Sequence, residues 1–223
     1  METRVHPPFV ELWPRAGLEL SLDGAHPAQV RTWRGSSVEL AGGATHFIYA
    51  IEGACSLETH SGAFSLRPGM YAAALEGRVA GAGSGLVVSH VGFAGLFHLG
   101  GPIEAVGRLR YIDGCTDSLL IAPTLRGDPC LNHLHIPAGT CQARHTHPSL
   151  RVGVIARGAG RCVTAEREYP LSAGLVFVIP PDAAHAFWTD GESLDVVVYH
   201  PESDTGPTHE DHPMINRTVI PRP

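Results

Sequence analysis

Two pairs of glycines set the problem this chain must solve. Gly53 and Gly69 stand sixteen positions apart, as do Gly158 and Gly174, and one shift of 105 residues carries the first pair onto the second. The apolar run before each leading glycine follows the same shift, Phe47-Ile48-Tyr49-Ala50-Ile51 onto Val152-Gly153-Val154-Ile155-Ala156. One offset shared by two framed segments marks an internal repeat. It predicts two copies of one β-unit, residues 1–110 and 111–223.

The repeat is β in character. The 26 glycines and 18 prolines are spread along all 223 residues, which favours many short strands joined by turns. Strands are expected at Ser37–Leu40, His46–Glu52, Gly62–Leu66, Met70–Ala74 and Gly85–Val91. In the second half they are expected at Cys130–Ile136, Arg151–Ala156, Gly160–Thr164, Leu175–Ile179 and Leu194–Tyr199. Only 93–108 leaves room for a short helix, and Gly95, Gly100, Gly101 and Gly107 oppose a long one. The expected class is all-β, a barrel or sandwich in each half.

Charge and composition exclude other classes. A formal net charge of −6 with no run of Lys or Arg argues against a nucleic-acid partner. The apolar stretches are strand-sized, short of the roughly 20 residues of a spanning helix, so no membrane is expected. Met1-Glu2-Thr3-Arg4 lacks an apolar signal core. Cys55, Cys115, Cys130, Cys141 and Cys162 form no CxxC pair and read as reduced thiols in a cytoplasm.

The chemistry concentrates in the second copy. His145 and His147 are one residue apart, so on a strand both imidazoles point to one side. His185 supplies a third nitrogen from another strand. Three neutral imidazoles hold a transition metal and leave positions open for water, oxygen or substrate. These histidines lie in Gly139-Thr-Cys-Gln-Ala-Arg-His145-Thr-His147-Pro-Ser-Leu-Arg151 and Gly174-Leu-Val-Phe-Val-Ile-Pro180-Pro-Asp-Ala-Ala-His185.

Both segments resemble the signature motifs of the cupin superfamily, G-x5-H-x-H-x3,4-E-x6-G and G-x5-P-x-G-x2-H-x3-N. The resemblance implies two tandem cupin barrels, jelly rolls of the double-stranded β-helix type, with metal ligands His145, His147 and His185. Three positions depart from the pattern. Arg151 stands where the family has its Glu ligand, Asp182 replaces the inner glycine, and Thr189 replaces the Asn. The ligand set is therefore three His and no carboxylate. One divalent metal per chain is expected, with Zn2+ favoured and Fe2+ the alternative, since imidazole suits both.

The 105-residue shift places Leu40, Gly42 and Ala80 at the ligand positions of the first copy. That copy is expected to be a structural or dimer-forming barrel without metal, and the protein a homodimer. His46 falls opposite Arg151 and reads as a satisfied core or surface histidine. Arg151 has two readings. It faces the metal and meets a substrate carboxylate or phosphate bidentately, or Pro148 breaks the strand parity and Arg151 pairs with an acidic neighbour.

Further candidates surround this set. His133 and His135 alternate on one strand, facing the cavity or the outer surface, and are counted with the substrate pocket. Tyr199 and His200 end the last core strand near the barrel mouth, with Tyr199 a candidate catalytic group. Of Phe187 and Trp188, one packs the core and the other shapes the pocket. Cys141 lies near the barrel. The tail, with His209, Glu210, Asp211, His212, Met214 and Ile215, is expected to be ordered, as a lid or a partner contact.

Roughly 80 residues of the second half also resemble the cupin domain of hydrazine synthetases. That resemblance implies zinc on three His and rearrangement of an amino-acid ester with N–N bond formation. This chain has no synthetase-like half, so by that resemblance a separate protein is expected to activate the substrate, or the chemistry differs. The expected function is a mononuclear-metal cupin enzyme of natural-product biosynthesis, acting on a small, polar, anionic, amino-acid-like metabolite by non-redox chemistry. The alternatives are an Fe(II)/O2-dependent cupin dioxygenase and a non-catalytic small-molecule-binding cupin.

Overall fold

The structure is a computed structural model that describes residues 9–14, 17–22, 24–212, 214, 218, 219 and 221. Ile215 lies outside the described residues. Apart from one short 3-10 turn at Ile112–Gly114, the described elements are strands, and no helix forms in 93–108.

The strands form three sheets. A nine-stranded sheet runs Val10–Leu12, Val176–Ile179, Arg151–Thr164, Leu194–His200, Cys130–Ile136, Thr116–Ile121 and Leu109–Arg110; Glu168–Ser172 and His185–Trp188 also pair with Arg151–Thr164. A six-stranded sheet runs His98–Gly100, Tyr71–Ala74, Ala44–Glu52, Ser84–Val91, Ala28–Arg34 and Leu18–Leu22. A four-stranded sheet holds Ser37–Leu40, Gly77–Gly81, Cys55–Thr59 and Gly62–Leu66. Residues before and after 110 thus fall mostly in different sheets. The exceptions are Val10–Leu12 and Leu109–Arg110, which pair with strands of the second half.

Three apolar cores follow from strand alternation. On Ala44–Glu52, Ile48 turns into a core with Trp33, Leu57 and Leu66. Its neighbours Phe47 and Tyr49 turn the other way, against Val152, Val197 and Tyr199. The second half has its own interior around Ile155, Leu171, Phe177 and Leu194. The central strands are therefore buried on both faces, which is why their sequence reads as continuous apolar runs.

All four framing glycines adopt positive φ: Gly53 +68°, Gly69 +84°, Gly158 +77° and Gly174 +90°. These are left-handed turns that disfavour any side chain. The shared offset is the imprint of one pair of turn geometries used twice.

Candidate metal centre

The segment carrying His145 and His147 is not a regular strand. It runs irregularly from Gly139 to Leu150, and only Cys141 and His145 make isolated bridges. Its course is set by bonds to 182–189. The backbones of His145 and His185 exchange two hydrogen bonds, 2.9 and 3.0 Å. The Asp182 amide donates to the His147 carbonyl at 2.8 Å. Buried Gln142 accepts from the Phe187 amide through Oε1 (3.1 Å), and its carbonyl accepts from Trp188 Nε1 (3.1 Å).

Two of the family departures have structural answers. Asp182 stands where the motif has glycine and keeps a positive φ of 58°. Thr189, in place of Asn, is buried and stitches the preceding turn. Its hydroxyl donates to the Pro137 carbonyl (2.5 Å) and accepts from the Thr140 amide (3.0 Å).

The three histidines converge. Their ligand atoms lie within 4.8 Å of one another, the one such group among the described residues. Ring centroids are 5.0, 4.7 and 5.2 Å apart. His145 Nδ1 donates to the Ala143 carbonyl (2.9 Å) and His185 Nδ1 to the Ala183 carbonyl (2.8 Å). Each bond fixes the tautomer and leaves Nε2 as the lone-pair nitrogen. Burial, with Arg151 and the other two rings, pushes His147 down to about 3. Burial pushes His185 down to about 4 despite its bond to Ala183. Neutral, oriented imidazoles are what a divalent transition ion requires, so the residues present fit such an ion.

The histidines open into a cavity of about 230 Å3. That is smaller than the roughly 300–1,000 Å3 of drug-sized pockets. Phe177, Ile179, Phe187 and Val198 give it apolar walls, and Leu109, Arg110 and Tyr111 line another side. Arg151 lines it too, although the chain between His147 and Arg151 is irregular. Its side chain is buried. Nη1 donates to the Ser149 carbonyl and hydroxyl and to the Leu150 carbonyl, at 3.1, 2.8 and 2.9 Å. Its Nε has no partner, and it makes no ion pair among the described residues. His200 also faces this cavity, and burial beside Arg151 and His147 holds it neutral.

Other expected pocket residues lie elsewhere. His133 and His135 do not line the cavity. Both donate to Asp195 Oδ1, at 2.7 and 2.9 Å, while Arg157 Nε bonds Oδ2 at 3.1 Å. The alternate positions of that strand, Asn132 and Leu134, face the cavity instead. Tyr199 is fully buried and turned away from the histidines, its hydroxyl 2.6 Å from His90 Nδ1. Cys141 is exposed outside the cavity, and the Trp188 ring lies under the Arg161 guanidinium, 5.4 Å from its centroid. His46 is a satisfied core residue, bonded to Ser89 Oγ (2.7 Å) and the Ala41 carbonyl (2.9 Å).

The first part of the tail, expected as a lid or a partner contact, docks on the loop before Cys130. Gly127 donates to the Ser203 carbonyl and Arg126 to the Pro207 carbonyl. His209–His212 are exposed and Met214 is 77% exposed, so Met214 does not pack. Asp117 and Asn132, which both line the cavity, are polar groups that the sequence reading missed.

Comparisons with known proteins agree with this architecture. Residues 127–204 match the family model of the AraC-like ligand binding domain. Among solved structures, a cupin 2 conserved barrel domain protein from Leptotrichia buccalis superposes with a TM-score of 0.62 at 11% identity, covering 87% of this chain and 89% of that one. A putative glyoxylate induced protein from Pseudomonas aeruginosa gives 0.61 at 12%, covering 90% and 83%. Salicylate 1,2-dioxygenase from Pseudaminobacter salicylatoxidans gives 0.62 at 12%, covering 82% and 76%. No curated protein matches the chain. The chain has a cupin fold, an all-β jelly roll.

Proposed function

We propose that this chain is a metal-dependent cupin enzyme whose substrate is a small anion anchored by Arg151. The carrying observation is a buried guanidinium that makes no ion pair among the described residues, in the same cavity as three convergent imidazoles. A buried charge is costly unless paired, so the missing partner is read as the substrate's carboxylate or phosphate. A divalent ion on His145, His147 and His185 supplies Lewis acidity. Arg151 orients the anion, and Phe177 and Phe187 exclude water. With no carboxylate ligand, and with the likeness of the second half to hydrazine synthetase cupins, we favour zinc and non-redox rearrangement or lyase chemistry. In this reading a homodimer works after a separate activating enzyme.

A second reading, iron(II) with oxygen, draws on the likeness to a salicylate 1,2-dioxygenase. A third, binding without turnover, draws on the match to a ligand binding domain. Metal analysis of protein purified without chelators or nickel resin is the first test, with about one zinc per chain expected. Iron in its place, with oxygen uptake by the iron-loaded protein, would establish the second reading. Arg151→Gln is expected to abolish carboxylate binding while keeping the metal; retained carboxylate binding would refute the anion site.

A further inference from the structure

The cavity holds a second charge that makes no ion pair among the described residues. Asp117 lines it, half-buried, from the strand Thr116–Ile121. Its Oδ1 accepts from Asn132 Nδ2 at 2.9 Å, and it forms no ion pair among the described residues. Asn132 lines the same cavity, and its Oδ1 is buried without a hydrogen-bond partner. Asp117 and Arg151 do not neutralise each other. Their strands are separated by Leu194–His200 and Cys130–Ile136, three steps of the sheet, or roughly 14 Å of backbone.

One wall of the cavity therefore carries a cation, Arg151, whose Nε is buried without a hydrogen-bond partner. Another carries an anion, Asp117, held by Asn132. A cation and an anion without ion pairs each cost free energy in a buried site. A ligand bearing both charges removes both costs at once.

We propose that the substrate is a small zwitterion, an amino acid or a compound with the same two charges. Its carboxylate sits on Arg151, and its ammonium lies against the Asp117 carboxylate. This rests on the reading of Arg151 as the anion contact and adds the group that recognises the amine. Burial pushes the Asp117 carboxyl up to about 6, against the bond from Asn132 and the nearby His133, a buried carboxylate that an added cation would stabilise.

The test is calorimetric titration of zinc-loaded protein freed of excess zinc. The probes are the twenty common amino acids and β-alanine, each against its counterpart lacking the amino group, such as propionate for alanine and succinate for aspartate. At least one amino acid is expected to bind roughly ten- to a hundredfold more tightly than its counterpart. Asp117→Asn is expected to erase that difference and leave the counterpart's affinity unchanged. A thermal melt checks that this variant is folded. Equal affinities in the wild type, a difference that survives Asp117→Asn, or no amino acid binding would each overturn the zwitterion. Counterparts that bind and are lost on Arg151→Gln would still uphold the anion site, so the two readings fail separately.

Discussion

Tyr199 and His200 are consecutive on one strand and serve different parts of the molecule. The Tyr199 hydroxyl hydrogen-bonds His90 Nδ1 at 2.6 Å, and its ring lies 5.1 Å from Phe47. His200 faces the cavity of the three histidines. Burial raises the tyrosine and lowers the histidine, so a neutral phenol donates to a neutral ring.

Tyr199→Phe is therefore expected to cost stability, not chemistry. Losing one buried hydrogen bond, and leaving His90 Nδ1 without a donor, costs roughly 1–3 kcal/mol. Denaturant unfolding should register that loss, and metal content should not change. Loss of metal from Tyr199→Phe would contradict the assignment.

His147→Ala should lower bound metal from about one per chain to near zero. Chelation of the wild type should reduce its thermal midpoint. An ion at a thousand times its Kd contributes about 4.1 kcal/mol, and that increment should be missing from His147→Ala. Equal metal content in the two proteins would remove the centre.

Asp182 sits at φ 58° where a side chain is strained. Restoring the motif glycine, Asp182→Gly, relieves about 1 kcal/mol of that strain, offset in part by the looser unfolded chain. Asp182→Val should destabilise, because a β-branched residue tolerates this region poorly. Equilibrium unfolding of the pair should rank glycine above valine; the reverse order would contradict the strain.

Asp117 carries a pH signature. Its carboxyl is raised to about 6 from 3.8 by burial, so between those values the folded chain holds the proton that the unfolded chain releases. The associated stability is complete below pH 3.8 and is lost as pH rises past 6. Asp117→Asn should therefore gain on the wild type in metal-free protein above pH 6, by about 1–2 kcal/mol after allowing for partial exposure. Urea midpoints at pH 4 and pH 8 would show it; a gap that does not widen with pH would refute it.

Gly158 and Gly174 should respond differently to alanine. A Cβ on Gly158 would lie 1.8 Å from the Ser193 carbonyl oxygen, whereas one on Gly174 meets nothing nearer than 4.0 Å. Gly174→Ala should cost about 1–2 kcal/mol of backbone strain. Gly158→Ala should add backbone displacement, for roughly 3 kcal/mol or more. Similar thermal midpoints for the two variants would contradict this geometry.

Much of the architecture was legible because it is written in turns and apolar runs. Ser37–Leu40, Gly62–Leu66 and Cys130–Ile136 form as expected. The break expected between Ala156 and Gly160 is absent. Arg151–Thr164 bends through a bulge between Ile155 and Arg157 and changes partners without ending. Leu18–Leu22 and Ala28–Arg34 were missed although Leu18-Glu-Leu-Ser-Leu22 alternates.

The site was legible where motif spacing defines it, at His145, His147 and His185. It was not legible at Asn132 and Asp117. Strand alternation shows that His133 and His135 share a face but not which face is inside. Asp195 decides it, standing in register with His135 on the neighbouring strand and drawing both rings away. Asp117 has no sequence mark at all, because what makes it notable is a buried neighbourhood assembled from distant strands.

Val10–Leu12 forms its ladder with Val176–Ile179, the strand that leads through Pro180 and Asp182 to His185. The histidine-bearing half therefore borrows its outer strand from the opposite end of the chain. It is not a transplantable module. A fragment beginning at residue 111 would leave the edge of Val176–Ile179 bare, open to intermolecular pairing, right beside the loop that delivers the third ligand. The first half thus supports the second through the few residues that it sends across to that edge.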